Sequence, residues 1–78
     1  MTLSQIVQEL ENLGFENVSE ARLVYRKDDQ WAVVSIFPLP DGYRISCHDN
    51  DEYKESVFVR DLDMKTIRKV LPEWLILS

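Results

Sequence analysis

The chain has one cysteine, one histidine and two glycines among its 78 residues. A single cysteine excludes an internal disulfide framework, and one histidine leaves no Cys/His set for structural zinc. With Gly14 and Gly42 as the only glycines, neither a P-loop nor a dinucleotide-binding fingerprint can be formed. No apolar run approaches the roughly 18 residues of a membrane-spanning helix. The opening Met-Thr-Leu-Ser-Gln has no basic stretch of the kind that begins a signal peptide. A soluble, cytoplasmic protein with no cofactor and no membrane contact is therefore expected. Hydrophobic residues are nevertheless 45% of the chain, too many for a disordered segment. At 9.2 kDa, residues 1–78 form one small domain, expected to bury about 60–65% of its unfolded surface.

The spacing of what remains predicts the elements. Leu3, Ile6, Val7, Leu10 and Leu13 fall on one helical stripe, with Glu9 and Glu11 on the opposite side. Thr2 and Gln5 stand as a capping box, and Gly14-Phe15 offers a left-handed stop with an apolar contact behind it. Residues 16–20 read as a polar connection. Runs with strand character follow at 21–27, 31–37, 43–48 and 53–60. Between the second and third lies Pro-Asp-Gly, where Pro fixes φ and Gly42 is expected to supply a positive φ. Links of about 2–5 residues are too short for parallel crossovers, so the strands form an antiparallel meander. Asp61 or Asp63 caps a second helix with Met64, Ile67, Val70 and Leu71 as its apolar stripe, and Pro72 ends it. The run Trp74–Leu77 is either a short fifth strand or a terminal segment laid over the core. The expected fold class is α+β: a four-stranded meander flanked by N-terminal and C-terminal helices.

Register assigns the faces. A two-residue Asp28-Asp29 loop pairs Lys27 with Gln30 and sets Tyr25 opposite Ala32, Leu23 opposite Val34 and Ala21 opposite Ile36. Ala21, Leu23, Tyr25, Ala32, Val34 and Ile36, with Ile45 and Cys47, make a core face. Arg22, Val24, Arg26, Trp31, Val33, Ser35, Phe37, Arg44, Ser46 and His48 fall on the other. A one-residue slip would reverse every assignment, and the apolar pattern opposes it. In the fourth strand either Phe58 or the pair Val57 and Val59 points inward. If both helices cover the core face, the second face carries Val24, Trp31, Val33 and Phe37 among arginines. It is then covered by a partner or a second copy of the chain, unless a helix or the tail folds over it.

Catalysis is not expected. Cys47 and His48 are adjacent in a strand, so their side chains point to opposite faces and cannot act as nucleophile and base. Asp49-Asn50-Asp51-Glu52 has the look of a calcium loop. Counting from Asp49, however, Lys54 and Arg60 occupy the positions that need glycine and a bidentate glutamate.

The net charge of −5 is unevenly placed. Residues 1–21 carry −4, 22–48 carry +1, 49–63 carry −4 and 64–78 carry +2. Two candidate surfaces follow. Asp49, Asp51, Glu52 and Glu55 would form an acidic docking patch for a basic protein, as in small acidic inhibitors from phages and mobile elements that block nucleic-acid-binding proteins. Val24, Arg26, Trp31, Val33, Phe37 and Arg44 would form a sheet-face surface for a partner or a homodimer. Cations beside aromatic rings also suit single-stranded nucleic acid. The acidic chain and the absence of an RNP-type aromatic pattern weigh against that reading.

Overall fold

A computed structural model describes residues 1–50, 52, 53 and 56–76, with Glu52, Tyr53 and Ile76 described by backbone alone. Helix α1 (Leu3–Asn12) starts as its sequence dictates: the Gln5 amide donates to Thr2 Oγ1 at 3.2 Å, and the Thr2 amide donates to Gln5 Oε1 at 2.8 Å. It stops at Gly14, which takes φ +107°. The Phe15 amide then donates to the Leu10 carbonyl and the Gly14 amide to the Glu11 carbonyl, both at 3.0 Å, the paired bonds of a Schellman motif. Ile6 and Leu10 are fully buried, while Leu13, the last residue of the expected stripe, lies past the helix and is exposed.

Six strands follow: β1 (Glu16–Ser19), β2 (Arg22–Lys27), β3 (Gln30–Leu39), β4 (Gly42–Asp49), β5 (Glu52–Tyr53) and β6 (Val57–Val59). They form one antiparallel sheet in the order β1-β2-β3-β4-β5, with β6 also pairing β4. The register of the first hairpin is the expected one, from Lys27↔Gln30 to Leu23↔Val34. In the second, Ile36 faces Ile45 and Val34 faces Cys47, and the ladder continues past the expected strand end at Phe37 to Leu39↔Gly42. Two corrections concern β1 and Gly42. The segment read as a connection pairs with β2, through a turn in which Glu20 and Ala21 both have positive φ. Gly42 does not have the positive φ expected of it. It is required for space, because a Cβ there would overlap the Val59 carbonyl oxygen and lie 2.9 Å from Arg60 Cα.

The expected fourth strand is two pieces. From His48↔Tyr53 to Ile45↔Val57 the chain advances three residues on β4 and four on its partner. That one-residue offset places Val57 and Val59 on the core side and Phe58 opposite Arg44 on the other face. At the far end of the sheet, β3 outruns β2. The Ile36 amide still donates to the Ala21 carbonyl, so by alternation Pro38 also faces the uncovered edge and has no amide to offer there.

Helix α2 (Met64–Val70) is capped by Asp63, whose Oδ1 accepts from the Thr66 amide at 2.7 Å. That bond, the largest influence on the carboxyl, helps hold Asp63 below the ordinary aspartate range. Leu71 is extended ahead of Pro72, as the proline requires. The described part of the expected tail, residues 74–76, is not a strand, and Leu77 lies outside the described residues. Residues Glu73–Ile76 form a helical turn, α3, with the Leu75 amide donating to the Pro72 carbonyl. Ile6 and Leu10 from α1 and Ile67 and Val70 from α2 join Leu23, Val34, Ile36, Ile45 and Cys47 in a single core. Both helices therefore lie on the same side of the sheet. Among the described residues, no helix is long and apolar enough to cross a membrane.

Candidate functional site

The other side of the sheet is the candidate site. No described helix covers it, and cross-strand pairing arranges it in rows. Phe58, Arg44 and Phe37 form one row across β6, β4 and β3. Ser46, Ser35 and Arg22 form the next, then His48, Val33 and Val24, and finally Trp31 with Arg26. Phe37 and Phe58 are 47% and 48% exposed. Val24, Trp31 and Val33 are half-buried, leaning on one another, whereas Arg22, Arg26 and Arg44 are exposed. Ser35 and Ser46 are buried because they are short, so their row is a trough between two taller ones. Shallow depressions of about 350 and 460 Å³ lie on either side of Trp31 and Val33, lined respectively toward Arg22 and toward Arg26.

The local chain holds this surface in place. The Trp31 amide donates to Asn50 Oδ1 at 2.9 Å while the Asn50 amide donates to the Trp31 carbonyl at 3.2 Å, tying the start of β3 to the residue after β4. Arg44 Nη1 donates to Ser56 Oγ at 3.3 Å, holding the guanidinium across the sheet toward the segment before β6. Every arginine in the described strands lies on this face, and register places one carboxylate there, Glu16 opposite Val24. The strands thus bring three arginines to this face on a chain whose net charge is −5, while Asp28 and Asp29 of the β2–β3 turn line the depression beside Arg26.

All six residues expected of the sheet-face surface, Val24, Arg26, Trp31, Val33, Phe37 and Arg44, are on it together. The one-residue offset adds Phe58. The acidic patch fares differently. Asp49 follows Ile45 and Cys47 in alternation, so it points to the helix side, where it is buried and its Oδ1 accepts from Trp74 Nε1 at 2.8 Å. It is a bolt for α3 and not an exposed docking group. Asp51 and Glu55 lie outside the described residues, as does the side chain of Glu52. Cys47 is buried and His48 exposed, on opposite faces as their adjacency requires. Among the described residues, no group of three His, Cys, Asp or Glu side chains is placed to hold a metal ion. Comparison with protein-family models, curated proteins and solved structures finds no match.

Proposed function

We propose that this protein is a non-enzymatic interaction module that binds an acidic segment of a partner protein on its open sheet face. The observation that carries this reading is the coincidence on one uncovered face of Arg22, Arg26 and Arg44 with Trp31, Val33, Phe37 and Phe58. Tryptophan and arginine are the side chains most often responsible for binding energy at protein interfaces. Arginine in particular takes carboxylates in a paired, planar geometry. The cationic face also draws an anionic partner into encounter. A second copy of this chain is the poorer occupant, since face-to-face pairing sets three arginines against three. Single-stranded nucleic acid would meet the same cations, but the strands carry no RNP-type aromatic pattern for stacking successive bases.

Selection from a random-peptide display library tests the reading. Peptides rich in Asp or Glu with an aromatic or aliphatic anchor should be enriched by the wild-type protein. Affinity for the best of them should fall at least about tenfold in the Arg26→Glu/Arg44→Glu variant, as expected when favourable charge pairs become repulsive. Light scattering should give a 9.2 kDa particle at micromolar concentration. Enrichment of basic peptides, a stable dimer, or tight oligothymidylate binding without peptide binding would each refute it.

A further inference from the structure

A second surface of opposite character lies on the helix side. Between α1 and the β1–β2 turn runs a groove of about 690 Å³, larger than either depression on the sheet face and within the roughly 300–1,000 Å³ typical of ligand clefts. Leu3 and Val7 on the inner side of α1 form one wall, and buried Ala21 and Ile36 form the floor. The exposed carboxylates Glu11 and Glu20 stand at its rim, and no lysine or arginine lines it. Residues 1–21 contain four acids and no base, and the nearest cation in the sequence, Arg22, pairs with Ser35 on the sheet face and does not line the groove.

The backbone at the rim is unusual. Glu20 and Ala21 have φ +27° and +61°, consecutive left-handed residues in a two-residue hairpin turn. Turns of this kind strongly favour Asn-Gly, because side chains with a full Cβ are strained there. Here the strained pair supplies both a floor methyl and a rim carboxylate. Residues held in sparsely populated backbone regions concentrate at binding sites.

We infer that this groove binds a cationic segment of a partner protein, which inserts an aliphatic side chain between Leu3, Val7 and Ile36 and sets a lysine or arginine against Glu11 and Glu20. The apolar floor provides the anchor and the two carboxylates select the charge. The site meets the sheet face only at its end, where Phe37 borders both, and takes a ligand of the opposite sign.

The test is a titration of the isotopically labelled full chain, followed by amide NMR shifts, with the capped peptide Leu-Lys-Leu-Leu-Lys-Leu. Saturable shifts are expected at Leu3, Val7, Ala21 and Ile36, and the same peptide with Glu in place of Lys should give none. Glu11→Gln with Glu20→Asn removes both charges while suiting a left-handed backbone at position 20. This double variant should weaken binding about tenfold, the loss expected when two surface ion pairs are removed. Arg26→Glu/Arg44→Glu should leave it unchanged, which separates this site from the sheet face. Shifts centred on Trp31 and Val33, no saturable shift at millimolar peptide, or equal affinity in the Glu11/Glu20 variant would each overturn the assignment.

Discussion

Replacing Gly42 by alanine sets two effects of opposite sign against each other. Because Gly42 has no left-handed φ, the substitution is permitted by backbone conformation. Reduced freedom of the unfolded chain would then stabilise the protein by about 0.4–1 kcal/mol. Against this, the new methyl would overlap the Val59 carbonyl oxygen and approach Arg60 Cα at 2.9 Å and Phe58 Cζ at 3.1 Å. Two of those three neighbours are backbone, so β6 must move as a unit, and overpacking of that kind costs about 1–3 kcal/mol. The clash outweighs the entropy, and we expect a net loss of about 1–2 kcal/mol by urea denaturation. In a domain of this size each kcal/mol lowers Tm by about 4–8 °C. Phe58→Ala in the same background relieves only the side-chain contact and should not restore the loss. Equal or greater stability in Gly42→Ala would refute the close approach of β6 to the start of β4.

Three further outcomes are expected. Leu10→Ala should cost about 2–5 kcal/mol in thermal or urea unfolding, since Leu10 is fully buried beneath α1; a loss below about 0.5 kcal/mol, as on a surface, would contradict that packing. Trp74→Phe keeps a ring against Tyr25 but removes the donor to Asp49, a carboxylate only 9% exposed. A loss of about 1–3 kcal/mol is expected, and unchanged stability would show that the indole bond contributes nothing. Folding lowers the pKa of Asp63, so its contribution is present above the unfolded value near 4 and disappears as pH falls through the lower folded value. The Thr66 amide should therefore lose exchange protection in acid. In Asp63→Asn, which can cap without a charge, that pH dependence should vanish; persistence of it would assign the effect elsewhere.

What the sequence reveals depends on whether a residue's position leaves a periodic trace. Helix α1 and the register of the two long hairpins are legible because buried and exposed residues alternate along them. Strand β1 leaves no such trace: all four of its residues are exposed, it is recruited by backbone pairing alone, and its turn lacks Asn-Gly. The apolar run at Trp74 has no period to distinguish helix from strand. The six sheet-face residues follow from parity. Phe58 does not, because an offset of one residue between β5 and β6 resets the parity before it. Asp49 could have been placed: carrying the Ile45–Cys47 alternation two residues further sends it inward, where acidity of the neighbouring sequence concealed a structural role.

The overhang of β3 beyond β2 bears on how the molecule behaves in a crowd. Among the described residues, β3 has no strand partner on that side beyond Ile36, and an open edge beside Phe37 and Leu39 is a template onto which another chain could add. Pro38 occupies the position whose amide would have begun that ladder. The molecule thus keeps a sticky aromatic surface on the face of its sheet while denying strand addition at this edge. Recognition at this end of β3 is left to side chains, because a strand adding there would meet a missing donor at its first rung.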